Sequence, residues 1–332
     1  MRDWLQRRWY SDAPPPPLLL RPLAALFGRI AAARRRRLQS AARELPVAVI
    51  VVGNITVGGA GKTPVVAWLV EQLRALGRRP GVVSRGYGGN AASWPQDVRP
   101  DSDPREVGDE PALLARRLRC PVAAAPDRLA AAQLLIAQGV DVIVSDDGLQ
   151  HYALARDLEI VVVDGERGLG NGALLPAGPL REPATRLREA HFIVVNGGTW
   201  SSGRANELRM RLVPGEAVRL DDGRTHALAD FRHGPVHAVA GIGHPARFFR
   251  MLQEFGLQVI PHAFADHHVF APAELEFPGD APVLMTEKDA VKCARFSSAR
   301  LWAVPVTAAF DAAAAARVQE SLRALRRPQL QF

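Results

Sequence analysis

Lys62 and Thr63 follow three glycines, Gly58, Gly59 and Gly61, at the end of an apolar run within residues 47–67, VAVIVVGNITVGGAGKTPVVA. These types suit phosphate chemistry. Glycines let backbone N–H groups curl around phosphate oxygens, and the start of a helix adds its positive dipole. A lysine reaches the β- and γ-phosphates, and a threonine hydroxyl can join a Mg2+ shell. The spacing predicts a strand, a glycine-rich turn and a helix from Lys62, with Thr56, Val57, Gly58, Gly59, Ala60, Gly61, Lys62 and Thr63 around the phosphates of ATP. The strict G-x-x-x-x-G-K-[ST] pattern wants glycine where Thr56 stands, so the match is G-G-x-G-K-T with a shifted glycine.

Further chemistry-bearing groups sit at the ends of other segments. Residues 140–145, VDVIVS, run straight into Asp146, a Walker-B-like ending whose carboxylate can hold Mg2+ directly or through water. Asp109 and Glu110 open a segment of helical character, where helix capping is an equally good reason for acidic residues. Arg85 lies in the Arg-Gly-Tyr-Gly-Gly loop after a second strand, on the side where such sheets meet ligands. Asp266, His267 and His268 have no metal-type spacing and no accompanying cysteine, leaving a polar interdomain surface or a proton-handling role open. Apart from Lys62, the chain's only lysines are Lys288 and Lys292, in the capping-box-like Thr286–Lys292 run. In a chain that otherwise uses arginine, a retained lysine marks a place that wants a compact ammonium.

To position these groups, strands at 47–52, 80–84, 140–145, 158–163 and 192–195 alternate with helical or Gly/Pro-rich connections. That order predicts an α/β fold with a P-loop-type parallel sheet covered by helices. Residues 90–107, rich in Pro, Asp and Ser, read as a mobile loop or lid. Two short alternating runs either side of Pro214-Gly215 read as a β-hairpin linker over 206–222. It divides a P-loop core, 39–205, from a smaller α/β unit, 223–332, whose Gly241-x-Gly243 is a weak nucleotide signal and is read as a turn.

Residues 1–38 differ from the rest. Trp4, Leu5, Trp9 and Tyr10 stand among arginines and precede Pro14 to Pro17; Leu19, Leu23, Leu26, Phe27 and Ile30 then fall on one helical face before Arg34 to Arg37. The stretch is interrupted at Arg21-Pro22 and is far shorter than the ~20 apolar residues of a span. It reads as a basic amphipathic segment for an anionic membrane surface, or as an arm packed on the protein's own core. At 332 residues, 48% hydrophobic and with a net charge of +8, the chain is globular, and the charge points to an anionic partner. Two cysteines without metal spacing fit a reducing compartment.

Taken in order, GNITVGGAGKTP (53–64), SRGYGG (84–89), GDEP (108–111), SDDGLQHY (145–152), DHH (266–268) and TEKDAVK (286–292) make the chain resemble the tetraacyldisaccharide 4'-kinases, the lipid A 4'-kinases, over nearly its whole length. The family carries serine or threonine at the place of Thr56. The resemblance implies an ATP- and Mg2+-dependent kinase that phosphorylates the 4'-hydroxyl of an acylated glucosamine disaccharide 1-phosphate, giving lipid IVA. It implies peripheral attachment at the cytoplasmic face of the inner membrane, with no nucleic acid and no obligate protein partner. It points to Asp109 as general base, assisted by His267. Lys62, Thr63, Glu110 and Asp146 then supply the anion cradle and the metal site, and Arg85 meets the phosphorylated headgroup. Two other classes compete. A membrane-associated partition-type ATPase switch carries a lysine where this chain has Val57, and a non-enzymatic membrane scaffold would not need the intact Gly61-Lys62-Thr63 with Asp146.

Overall fold

The computed structural model describes residues 8–10, 20–296 and 298–326. Trp4, Leu5, the prolines at 14–17 and Leu19 lie outside them. Helix α1 (Leu20–Ser40) runs without a break through Arg21 and Pro22, where an interruption was expected. Both sit in its first turn, whose N–H groups have no intrahelical acceptor to lose, so proline is tolerated there. Among the described residues no helix is long and apolar enough to cross a membrane.

Strand β1 (Ala48–Gly53) is buried along its whole length, and the chain turns through the glycine loop into α2 (Lys62–Ala75). Strand β2 (Pro80–Ser84) follows. The lid expected over 90–107 is instead folded onto the body: β3 (Gln96–Val98) pairs antiparallel with β4 (Val122–Ala124), and α3 (Pro104–Val107) is capped by Asp103. A polar stretch can still supply edge-strand hydrogen bonds, which composition does not reveal. After α3 come α4 (Asp109–Arg117), α5 (Arg128–Ala137), β5 (Val142–Asp146), β6 (Leu158–Asp164) and β7 (Phe192–Asn196).

Strand β1 lies between β5 and β6, parallel to both, and all three are runs of Val and Ile because helices or loops cover both faces. In this register Val52 sits beside Asp146, and Asp164 sits beside Asn196. Three polar residues therefore line up along the C-terminal rim of the sheet, where open α/β sheets bind ligands.

The hairpin linker does not form. Strand β8 (Glu207–Pro214) joins the large sheet parallel to β7, whereas β9 (Ala217–Arg219) belongs to a second sheet with β10 (Thr225–His226). Pro214-Gly215 marks where the chain turns, but local turn chemistry does not say which sheet receives the next strand. The second sheet continues through β11 (Pro235–Ala240), α6 (Pro245–Glu254), β12 (Gln258–Ala263), β13 (Val283–Thr286), α7 (Glu287–Cys293) and β14 (Leu301–Val304). Its order is β10-β9-β14-β13-β11-β12.

The chain then returns to the first unit. Strand β15 (Val306–Phe310) pairs antiparallel with β8, and α8 (Ala312–Ala324) buries Ala314, Val318 and Leu322 in the same core as Leu69 and Leu73 of α2. The nine-stranded order is β15-β8-β7-β6-β1-β5-β2-β4-β3. The smaller unit is thus inserted into the larger one, and does not run to the end of the chain as the expected 223–332 division had it.

Candidate active site

The loop between β1 and α2 is strapped from below. Thr56 bridges Leu180, and the Val57 amide donates to the Pro179 carbonyl at 2.9 Å. Thr56 is buried under the loop and does not line the cleft, so of the expected phosphate ligands it supports from beneath. Its extended pairing explains why no glycine is needed at that position. The demanding position is Gly61, at φ +90°, where an added Cβ would stand 2.3 Å from the Asn196 amide nitrogen. That amide donates to the Ala60 carbonyl at 3.1 Å and holds the turn shut against β7. Lys62 Nζ lies 3.4 Å from Asn54 Oδ1 and 3.3 Å from Asp147 Oδ1.

At the tip of β5, Asp146 is buried, and neither carboxylate oxygen has a hydrogen-bond partner among the described residues. Burial pushes this carboxyl up to about 7, and the charge of Glu110 pushes the same way against Lys62. A buried, unpartnered carboxylate at the strand tip within reach of the Lys62 charge fits a cation. Asp147 follows in the left-handed region at φ 47°, which turns its carboxylate toward Lys62 and Arg181, the latter at 3.4 Å. Burial alone would raise it, but the two cations outweigh that and hold it well below the ordinary carboxylate range. Among the described residues no group of three or more His, Cys, Asp or Glu side chains could hold a metal alone. A P-loop cation takes its remaining ligands from phosphate and water.

The opposite wall brings the two units together. Asp109 and Glu110 occupy the first turn of α4; His267 comes from the loop after β12 of the inserted unit, also left-handed at φ 63°. His267 Nδ1 stands 3.4 Å from Asp109 Oδ2, and its other ring nitrogen lies 3.3 Å from Lys288 Nζ. The Tyr87 ring packs on the imidazole with centroids 5.1 Å apart. Lys288 also meets Glu110 at 3.1 Å and Asp266 at 3.6 Å. Burial would lower this ammonium, but Glu110 and Asp266 outweigh it and raise its pKa. Glu110, expected at the metal, therefore faces a lysine in this arrangement.

Two further charges of the Thr286–Lys292 run, Asp289 and Lys292, act as struts. Asp289 accepts from the Gly241 amide at 2.9 Å, and Lys292 donates to the His268 carbonyl at 2.8 Å. Both turns that face the first unit are fixed this way. Gly243 packs so tightly on the loop that a Cβ would come within 2.7 Å of the Gly59 nitrogen. Arg167 donates to the Gly243 carbonyl at 2.9 Å, and Arg247 to Asp164 at 2.5 Å. Between the units runs a cleft of about 980 Å3 lined by Lys62, Thr63, Arg85, Asp147, His267 and Lys288, among others, and reaching as far as α1.

A family model described as tetraacyldisaccharide-1-P 4'-kinase matches residues 17–323. The chain belongs to that family. It is 55% identical to the tetraacyldisaccharide 4'-kinase of Alkalilimnicola ehrlichii over 92% of each chain, and 47% identical to that of Vibrio cholerae, again over 92% of each. Among solved structures it resembles LpxK from Aquifex aeolicus in complex with ATP, with a TM-score of 0.75 and 26% identity over 92% of this chain and 98% of that one. Within this tetraacyldisaccharide 4'-kinase fold, the cleft also holds Asp147 and Arg181, which sequence reasoning did not single out, and Lys288, which it singled out without a role. Asp147 stood beside Asp146 in plain sight, but only the backbone turn shows which acid meets Lys62. Lys288 carried a signal, the scarcity of lysine.

Proposed function

We propose that this cleft transfers the γ-phosphate of ATP to the 4'-hydroxyl of tetraacyldisaccharide 1-phosphate, giving lipid IVA. The observation that carries the reading is the meeting of Asp109 with His267, whose ring lines the same cleft as Lys62. Phosphoryl transfer needs an anion cradle, a metal and a base near the attacking oxygen, and little else from the protein.

Backbone N–H groups of Gly58 to Gly61 and the Lys62 ammonium hold the β- and γ-phosphates, while the Val57 amide, expected among them, is spent on the Pro179 carbonyl. Thr63 and Asp146 would hold Mg2+, with Glu110 nearby, and the metal supplies neutralisation of charge developing on the phosphates. Asp147 and Asn54 keep the Lys62 ammonium aimed along the loop while it waits for its anion. Arg85 and Tyr87 place the sugar headgroup beside Asp109. The 4'-hydroxyl oxygen forms a bond to the γ-phosphorus, the bond from that phosphorus to the β–γ bridging oxygen breaks, and the hydroxyl proton passes to Asp109. His267 orients the Asp109 carboxylate, and Lys288 fixes the ring from its other side. The basic, apolar face of α1 lies on an anionic leaflet, so the protein works peripherally at the cytoplasmic face of the inner membrane, without an obligate protein partner.

Lys62→Ala tests the reading: purified variant and wild type are compared for ATP-dependent phosphorylation of the lipid in mixed micelles. A loss of about 10^3-fold or more in kcat with an unchanged unfolding midpoint is expected. Near-normal turnover would sink the phosphate-cradle assignment.

A further inference from the structure

Helix α6 meets the first unit through its own first turn, beside the nucleotide loop. Asp164, at the tip of β6, is buried and receives groups from both sides of this joint. Its Oδ1 accepts from the Glu166 and Arg167 amides at 2.9 and 3.2 Å within the first unit, and from Arg247 of α6 at 2.5 Å. Its Oδ2 stands 3.3 Å from His244 Nδ1. Burial alone would raise the Asp164 carboxyl, but His244 and Arg247 outweigh it and hold it below the ordinary carboxylate range. The same Arg247 nitrogen donates to the Asn196 carbonyl at 3.3 Å, and the Asn196 amide fastens the Ala60 carbonyl of the glycine turn. Arg247 thus grips the tips of two neighbouring strands, one of which holds the nucleotide loop shut.

The segment that carries Arg247 also reaches the catalytic pair. Gly243 rests on Gly59, and two residues earlier the Gly241 carbonyl accepts from the His267 amide at 3.3 Å. A Cβ on Gly241 would come within 3.2 Å of the Ala265 carbonyl and 3.5 Å of the His268 Cβ, so the two turns are in close contact. His267 itself stands at φ 63°, a conformation that a side-chain-bearing residue keeps when its surroundings impose it. Residues 241–247 therefore touch the His267 backbone at one end and the strand tips at the other, with the nucleotide loop between.

We propose that Arg247 is a positioning residue for phosphoryl transfer: by clamping residues 241–247 onto Asp164 and Asn196, it sets where the His267 loop stands relative to Asp109. This rests on the 4'-kinase reading of the cleft, in which His267 orients the base. Arginine suits the task because its rigid fork donates to a carboxylate and a carbonyl together, which fixes direction as well as distance.

Arg247→Ala, Arg247→Lys, His267→Ala and the Arg247→Ala/His267→Ala double variant are assayed with ATP and tetraacyldisaccharide 1-phosphate in mixed micelles. The same proteins are compared by amide hydrogen exchange, read peptide by peptide. Arg247→Ala is expected to lower kcat by about ten- to a hundredfold with KM for ATP near wild type, since a misplacement of about 1 Å can cost that much. Arg247→Lys recovers part of the loss, and in the His267→Ala background the loss disappears, because the two act through one group. Exchange rises over residues 264–270 in Arg247→Ala while the strands of the large sheet stay protected. Losses that multiply in the double variant would overturn the assignment. So would a raised KM for ATP at unchanged kcat, which would make Arg247 a contact to the nucleotide, or exchange that rises only over 241–247 or across both sheets alike. If wild type phosphorylates no lipid, the 4'-kinase reading fails, and the exchange pattern alone then decides whether Arg247 holds the 264–270 loop.

Discussion

Asp109 sits in the first turn of α4, so its carboxylate serves the proposed reaction only if a neighbour aims it away from the helix and into the site. His267 stands 3.4 Å from that carboxylate and is contacted by Lys288 and Tyr87; in the proposed reaction this imidazole orients the carboxylate. Removing a general base typically costs about 10^2- to 10^4-fold in rate, so Asp109→Ala should lower kcat by that order while KM for ATP barely moves. His267→Ala should lower kcat as well, and the double variant should lose less than the product of the two, because groups that act as a unit are non-additive. Independent losses in steady-state assays would dissolve the pair. Both partners were legible as motif residues, whereas their meeting depends on how an inserted unit folds over the first. A second titrating group gives a pH test. Burial, with help from Arg128, pulls His151 down to about 4 from an ordinary 6.5. Between those values the unfolded chain binds the extra proton and the folded one does not, so stability rises with pH across about 4 to 6.5 and is lost as pH falls through that window. His151→Gln should flatten this slope in urea titrations repeated at several pH values.

At the level of elements, the turn into α2 is the most constrained. Gly61→Ala would force a side chain into the left-handed region and against the Asn196 amide, and strain of this kind costs about 1–3 kcal/mol. It should lower the urea midpoint and raise KM for ATP together. Gly59 has nothing within 4 Å of an added Cβ, so Gly59→Ala should leave the midpoint near wild type and affect only KM. The strand-turn-helix layout here was readable because every local cue agrees: a buried-type strand, glycines at the bend and a helix former after it. The stretch at 207–219 shows the opposite. Two alternating runs around Pro-Gly carry every local sign of a hairpin, yet each run finds its partner elsewhere, β8 in β15 and β9 in β14. Pairing over such separations is decided by which sheet edge remains open, and no window of sequence contains that.

The whole molecule is two sheets tied by one entry and one return. The return strand and α8 complete the first core, where Leu322 is fully buried and Trp68 of α2 packs on Phe310 of β15 with ring centroids 4.6 Å apart. Leu322→Ala should cost about 2–5 kcal/mol, read as a lower urea midpoint by Trp fluorescence, even though the residue is far along the chain from every catalytic group. The core's P-loop half was visible in the sequence. Its last strand and helix were not, since an Ala-rich helix after 223 looks like part of whatever precedes it. The return has a consequence for biosynthesis. A ribosome that has delivered β1 through β8 has made the nucleotide loop and most of a parallel sheet, but β8 still offers an unpaired edge and α2 an uncovered flank. Some ninety residues of another unit must emerge before the closing strand arrives. During that interval the nascent chain exposes an edge able to pair with a neighbour's, which is the period in which a chaperone has most to protect. A message cut short between β8 and β15 should therefore give chains that aggregate and do not accumulate as a soluble, nucleotide-binding fragment, which pelleting of the truncated product after expression would check.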